Sequence, residues 1–213
     1  MFETNLLHNN PLERLRRGLD VAVPAIVLRA RPFRDSDLMA HLLTPSMGKI
    51  SAIARHARGS RKRFPSSLDL FDRGTARLTR EKNGALSIKE FTPSHSLVKL
   101  RSDLDKLTLA SLLCEVFDLT VQENTGEDSS EVFEVLDLSL NAIDEATELK
   151  TALRATLVAV VSIAKREGII DLSTSAPGSR TLSIALDSIE RFCERKLLTK
   201  SSLEPIVRRL AAS

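Results

Sequence analysis

The chain has 213 residues, which is enough for one large domain or two small ones. Its 42% hydrophobic and 28% charged residues are near the average of globular proteins and exclude a wholly disordered chain. No apolar run of about eighteen residues occurs and the N-terminus lacks an uninterrupted apolar stretch, so neither a transmembrane helix nor a secretory signal is predicted.

The charge is divided between the two halves of the chain. Residues 1–100 hold 18 Lys or Arg against 9 Asp or Glu, whereas residues 101–213 hold 13 against 19. The net charge of +3 therefore combines a basic first half with an acidic second half. We expect two modules with different partners, the first of which faces an anionic polymer.

The first half has the period-two pattern of β-strands, beginning with residues 25–33. The alternation predicts an apolar face and a more basic face: Ile26, Leu28 and Ala30 against Val27, Arg29 and Arg31. Residues 38–44 and 49–57 are predicted to form a hairpin, because Pro45 and Gly48 favour a turn between them.

Two further strands are predicted within residues 68–80 and 85–91, joined by a turn at residues 81–84. Gly74 interrupts the first of these strands and is expected to mark a bulge or a bend. Five β-segments with no intervening helical pattern predict a small closed barrel rather than a βαβ sheet.

After Pro93 the apolar residues recur at steps of three and four, which is typical of amphipathic helices. This pattern predicts helices over residues 95–123, 127–144, 148–168 and 180–196. Gly168 is expected to end the third helix and residues 173–179 to form a small-residue loop. Ser201 has the sequence of a capping box and is expected near the start of a last helix.

The patterns together predict an α+β protein. Residues 1–20 form an N-terminal extension, residues 21–95 a β-barrel domain and residues 96–213 an all-α helical domain. The extension is an extra basic helix, an arm that touches the anionic polymer, or the product of an upstream start codon, and the sequence leaves these three alternatives open.

Catalytic motifs are missing from the sequence. It contains no nucleophile elbow, nucleotide-binding glycine loop or His-Glu-x-x-His, and its four histidines are scattered. Asp35 and Asp37 resemble a carboxylate pair, but a role in a turn is favoured for them. Cys114 and Cys193 fit apolar helical patterns and are expected as two buried, reduced thiols. We therefore do not predict an enzyme.

The densest cluster of cations lies in residues 54–64, which contain no acidic residue. A polymer of phosphates is bound by several cations spread over one surface. The candidate nucleic-acid-binding residues combine this cluster with cations of the first strands: Arg29, Arg31, Lys49, Arg55, Arg58, Arg61, Lys62 and Arg63. Arg77 and Arg80 of a later strand would extend the same basic surface.

The aromatic content limits base stacking, because the chain has no Trp and no Tyr. The first half contains Phe2, Phe33, Phe64, Phe71 and Phe91, most of which are expected in the core. Phe64 lies within the basic cluster and is the one expected to be exposed. It either stacks on a base or anchors the loop to the barrel, and the composition favours the anchor.

An ordered set of short motifs occupies residues 25–71. It consists of an Ile-Val-Leu-Arg strand, an acidic turn, Leu-Leu-Thr-Pro followed by Gly-Lys, an Arg-rich loop ending in Phe, and Leu-x-x-Phe. This order resembles the N-terminal domain of the bacterial DNA repair protein RecO family. Residues 97–118 resemble the helix that begins the second domain of that family.

The resemblance implies an oligonucleotide-binding (OB-fold) barrel followed by a helical domain. It also implies a recombination mediator that binds single- and double-stranded DNA, anneals complementary strands and assists a RecR-like protein in loading the RecA recombinase. The single-strand DNA-binding protein is a further implied partner, and the implied location is the cytoplasm, at the nucleoid.

No cofactor is expected. Many members of the family carry a four-cysteine zinc lobe in the second domain, but this sequence has no cysteine cluster there. Two other functions stay open: an RNA- or ribosome-associated barrel protein, and a protein-interaction scaffold that acts through the acidic helical half.

Overall fold

The computed structural model describes residues 10–65, 68–123, 128–171 and 179–212. The chain divides into two compact units, Met1–Ser96 with Gln122–Phe133, and Leu97–Val121 with Glu134–Ser213. The division into an extension (residues 1–20), a barrel domain (21–95) and a helical domain (96–213) stays a prediction. Within the described residues, no helix is both long enough and apolar enough to cross a membrane.

The first unit contains a closed five-stranded barrel. Its strands are β1 (Val21–Pro32), β2 (Leu38–Thr44), β3 (Gly48–Ala54), β4 (Arg73–Arg80) and β5 (Leu86–His95). Around the barrel they follow the order β1-β2-β3-β5-β4, and only the β3–β5 pair is parallel among these neighbours. This arrangement confirms the predicted OB-fold barrel.

A bulge in β1 changes the face that its residues present. The register with β2 shifts between Val27 and Arg29, so the alternation of the strand is reversed at this point. Val27 lies in the barrel core before the bulge and Ala30 packs against that core after it. The predicted placement of Val27 on the basic face is therefore wrong, and Ile26 is buried as well.

The hairpin predicted from Pro45 and Gly48 is confirmed. β2 and β3 pair from Thr44 opposite Gly48 to Leu38 opposite Ala54. The Thr44 hydroxyl donates to the Gly48 carbonyl at 3.0 Å and accepts the Met47 amide at 3.1 Å. Gly48 has a φ of +66°, which a residue with a side chain rarely adopts.

Gly74 lies in β4, packed closely against the backbone of β5. The register of this pair shifts between Arg73 and Gly74, which confirms the predicted bulge. A Cβ at Gly74 would lie 2.2 Å from the carbonyl oxygen of Thr92 and 3.0 Å from Cε1 of Phe91. The predicted turn at residues 81–84 is confirmed too, since the Gly84 amide donates to the Glu81 carbonyl at 2.9 Å.

A short helix, α1 (Pro11–Arg16), precedes the barrel. Asn10 caps it by accepting the Leu12 amide at 2.9 Å, and Pro11 occupies the first turn. Leu15 is fully buried in the barrel core. Residues 11–16 of the N-terminal extension are thus helical, residues 1–9 lie outside the described residues, and the three alternatives for the extension stay predictions.

The remaining described helices confirm the predicted all-α region. They are α2 (Val98–Ser102), α3 (Leu104–Thr120), α4 (Ser130–Glu145), α5 (Leu149–Arg166), α6 (Ser179–Phe192) and α7 (Lys200–Ala212). The single helix predicted over residues 95–123 is in fact two helices. Asp103 has extended backbone and accepts the amides of Asp105 and Lys106, so it caps α3 and separates it from α2.

The ends of the later helices agree only in part with the predictions. Gly168 follows α5 with a φ of +67°, and the Ile169 amide donates to the Ala164 carbonyl, as in a Schellman motif. The last helix begins at Lys200, next to Ser201 as predicted, although Ser201 then lies in its first turn rather than at its cap. The loop predicted at residues 173–179 lies outside the described residues apart from its last position.

The two cysteines differ in exposure. Cys114 is buried as predicted, whereas Cys193 is partly exposed and its thiol lies 3.8 Å from the Leu119 carbonyl oxygen. The prediction of two buried thiols is therefore wrong for Cys193. Two cysteines do not fit a four-cysteine zinc lobe.

Glu190 of α6 is a buried carboxylate that organises the connection between α6 and α7. It accepts the Leu197 amide at 2.9 Å and hydrogen bonds from Lys200 at 2.7 Å and Lys196 at 3.3 Å. The Lys200 hydrogen bond is the largest of the effects that together lower the pKa of Glu190 to about 2, although burial opposes them.

We predict that Gly74→Ala destabilises the barrel by about 1–3 kcal/mol or more, because the added methyl group collides with the backbone of β5. Urea denaturation measures the change. Gly59→Ala is the matched control, since a Cβ at Gly59 meets no atom within 4 Å. Equal stability of the two variants would show that β4 and β5 can separate at no cost.

We further predict that Glu190→Gln lowers the urea midpoint at pH 7 and that its difference from the wild type shrinks as the pH falls. The folded pKa of Glu190 is about 2, below its unfolded value of about 4.3. Its stabilisation is thus present above pH ~4.3 and is lost toward pH 2. Glu194→Gln, at an exposed position, is the control. A difference that is independent of pH would contradict the prediction.

Candidate nucleic-acid interface

Three connections of the barrel meet at one guanidinium group. They are the β1–β2 turn (residues 33–37), the basic loop (residues 55–64) that follows β3, and the β4–β5 turn (residues 81–85). Arg55 donates to both carboxylate oxygens of Glu81, at 2.8 and 2.6 Å. It also lies 3.8 Å from a carboxylate oxygen of Asp37. We call the part of the barrel formed by these connections the rim.

The electrostatics of this cluster are reciprocal. The hydrogen bond and charge of Glu81 raise the pKa of Arg55, and the hydrogen bond from Arg55 is the largest effect that lowers the pKa of Glu81. A bidentate arginine–carboxylate pair also fixes the relative orientation of its two side chains. Arg55 therefore holds the rim together, and its guanidinium is already engaged by carboxylates.

Asp37 anchors the basic loop to the β1–β2 turn. Its buried carboxylate accepts the His56 amide at 2.9 Å, and the Arg58 amide donates to the Ser36 carbonyl at 3.2 Å. The Ser36 hydroxyl and Nδ1 of His56 lie 2.9 Å apart. These contacts give Asp37 the turn-associated role favoured from the sequence.

The far end of the basic loop is anchored by Phe64. Its ring is only 1% exposed and lies in the barrel core, so the prediction that Phe64 is exposed is wrong and the anchor alternative holds. The reason is backbone pairing: the Phe91 amide donates to the Arg63 carbonyl at 2.9 Å, which brings the neighbouring ring against β5. Arg63 itself donates to Ser60 and to the Arg55 carbonyl.

The middle of the basic loop presents exposed cations. Arg58, Arg61 and Lys62 are exposed, and Arg58 donates to the backbone carbonyl of Asp35 at 3.4 Å. Arg31 is exposed near the end of β1, next to the β1–β2 turn. The loop and the turn therefore carry their positive charges on neighbouring segments.

The other predicted cations have different surroundings. Arg29 is half-buried and pairs in register with His41 of β2. Lys49 is only 7% exposed, so it does not lie on the open basic surface expected of it. Arg77 pairs with Asp20 at 3.2 Å, and Arg80 is exposed at the end of β4.

Two residues of the β1–β2 turn were missed by the sequence patterns. Phe33 is 43% exposed, and the Cζ atom of Arg34 lies 5.4 Å from the centroid of its ring. This distance is typical of a cation–π contact. The signal available in the sequence was the position of both residues in a turn that follows Pro32, because turns lie at the protein surface.

We predict that Asp37→Ala loosens the basic loop, because the His56 amide loses its acceptor and Arg55 loses one of its carboxylates. An unsatisfied donor costs about 1–3 kcal/mol, so trypsin should cleave after Arg58, Arg61 and Lys62 about 5- to 100-fold faster. Mass spectrometry of timed digests measures the rates. Asp35→Ala is the control, since the hydrogen bond that Asp35 accepts from Arg58 uses its backbone carbonyl and is kept in the variant; equal rates for both variants would refute the anchor.

Comparison with known protein families gives two adjacent matches. The family model described as "Recombination protein O N terminal" matches residues 19–97. The model described as "Recombination protein O C terminal" matches residues 101–164. The first match contains all five strands of the barrel, together with the rim, and the second contains α3 and α4 and most of α5.

Individual relatives agree with these matches. The protein named DNA repair protein RecO of Anaeromyxobacter sp. (strain K) is 35% identical over 137 residues, which cover 63% of this chain and 53% of the relative. Its counterpart in Syntrophus aciditrophicus (strain SB) is 33% identical over 130 residues, 60% of this chain and 49% of the relative. The matches thus span about half the length of these relatives. The chain belongs to the RecO family of DNA repair proteins.

Proposed function

We propose that this protein is a recombination mediator that binds single- and double-stranded DNA at the barrel rim and anneals complementary strands. The observation that carries the proposal is the basic loop, which is held at both ends and presents Arg58, Arg61 and Lys62 to solvent. Cations on a fixed surface bind a phosphate backbone by releasing its condensed counterions.

The cations of the surface have different proposed roles, which depend on the contacts that each side chain already makes within the protein. Arg58, Arg61 and Lys62 of the basic loop and Arg29 and Arg31 of β1 are the proposed phosphate contacts, and Arg34 joins them. Arg55 and Arg63 position the loop through the contacts described above. Lys49 is buried, so we propose that it adds to the positive electrostatic potential of the surface and makes no direct contact with phosphates.

Annealing requires no covalent step, so the proposal involves no catalytic residue and no cofactor. Two complementary strands repel each other through their phosphates, and a bound basic surface lowers that repulsion while the bases pair. We further propose that the protein acts on strands coated by the single-strand DNA-binding protein. A RecR-like protein would be its partner in loading the RecA recombinase.

We predict that reversing three charges, Arg58→Glu, Arg61→Glu and Lys62→Glu, weakens binding of both single and double strands by at least roughly tenfold at low salt. If about six phosphates are contacted, the single-strand log–log salt slope should change from about −4 to about −2. Fluorescence anisotropy of a labelled oligonucleotide at several salt concentrations measures both quantities. Annealing of complementary strands, bare or coated with single-strand DNA-binding protein, should slow in parallel.

The matched control reverses the same charge on α5, through Lys150→Glu, Arg154→Glu and Lys165→Glu at exposed positions. If the two triple variants weaken binding equally, the basic loop affects binding only through the net charge of the protein and is not a specific contact surface. A wild type that binds RNA far better than DNA of equal length would overturn the repair proposal in favour of an RNA-associated function. Binding that is insensitive to salt would favour the scaffold alternative.

A further inference from the structure

An aromatic ring stands exposed beside the cations of the rim. Phe33 is 43% exposed, whereas Phe64, Phe71 and Phe91 of the same unit are buried. Single exposed apolar side chains are common on proteins and carry no meaning alone. Two further features of Phe33, its rigid backbone and its cationic surroundings, distinguish it from such cases.

The backbone of Phe33 is held in place by the turn that contains it. Its amide donates to the Asp37 carbonyl at 3.0 Å, and the buried Asp37 carboxylate is in turn bonded to the basic loop. The ring is thus presented from a closed turn, and little ordering is needed before it contacts a ligand.

The surroundings of Phe33 carry an excess of positive charge. Arg34 lies against its ring, Arg31 is exposed two residues before it, and Arg58 donates to the backbone of the same turn. Asp35 is the exposed carboxylate of this turn. The ligand that fits one aromatic ring among three arginines has a flat apolar face within a few ångströms of a phosphate.

We infer that Phe33 is a base-stacking site for an unpaired nucleobase of single-stranded DNA, with Arg34 contacting the adjoining phosphate. The inference rests on the proposed function and goes beyond it, because it assigns one side chain that distinguishes single from double strands. In a duplex both faces of each internal base are already stacked, so the ring gains a partner only where a base is unpaired.

The first test is truncation of the ring in the full chain. Phe33→Ala should weaken binding of an unstructured thymidine oligonucleotide about 5- to 100-fold, the range for loss of one base–aromatic stack. Binding of an equally long blunt duplex should change less than about twofold. Phe192→Ala is the matched control, since Phe192 of α6 is also exposed and carries the same side chain.

The second test places a reporter at the site. The chain has no Trp and no Tyr, so Phe33→Trp creates a single tryptophan. Its emission should be quenched by the thymidine oligonucleotide, and an abasic oligonucleotide of equal length should bind at low salt without quenching it. Phe192→Trp should be quenched by neither ligand.

The outcomes separate this inference from the proposed function. If Phe33→Ala binds single strands as the wild type does while the triple charge reversal in the basic loop does not, the stacking site is refuted and the phosphate surface stands. If Phe33→Ala weakens single and double strands equally, or impairs only binding of a RecR-like protein, the ring is not a base-stacking site. If the wild type binds no nucleic acid, both proposals fall.

Discussion

The arrangement of the rim depends on the ion pairs of Arg55. This side chain follows β3, bonds both oxygens of Glu81 after β4, and lies near Asp37 before β2. Strands that are far apart in sequence are therefore tied together at the rim by one planar guanidinium, whose two parallel hydrogen bonds a lysine could not reproduce. Because Asp37 also accepts the His56 amide, the start of the basic loop is set by the same cluster.

The cations of the rim consequently divide into two groups. Arg55 and Arg63 direct their guanidinium groups to acceptors of the protein itself, whereas Arg58, Arg61 and Lys62 remain exposed between the two anchored ends of the loop. Ordering a long basic side chain on a mobile loop costs conformational entropy each time a ligand binds. A loop that is already held at both ends reduces that cost. In the proposed function, Arg55 and Arg63 would therefore support the affinity of the three exposed cations for DNA without contacting it themselves.

The spacing of apolar residues predicts well where strands and helices lie, but it predicts bulges within strands and breaks between helices poorly. Alternation located the five strands, and Gly74 marked a bulge because only a glycine fits against Thr92. The bulge in β1 has no glycine, since it arises from the register of β1 with β2, and so Val27 was placed on the wrong face. In the same way, the apolar period of residues 95–123 continues through Asp103, although capping by that side chain ends one helix and starts the next.

At the candidate site, the sequence also fails to distinguish exposed from buried aromatic residues. Phe33 and Phe64 both stand beside arginines, and the local sequence does not tell them apart. Pairing of the Arg63 carbonyl with β5 carries Phe64 into the core, whereas Phe33 in the β1–β2 turn stays 43% exposed. The proposed annealing activity requires phosphates to be held firmly while bases stay free to pair. The proposed surface of fixed cations with one stacking ring would meet this requirement, since the ring would engage a single base at a time and release it when a complementary strand offers a better stack.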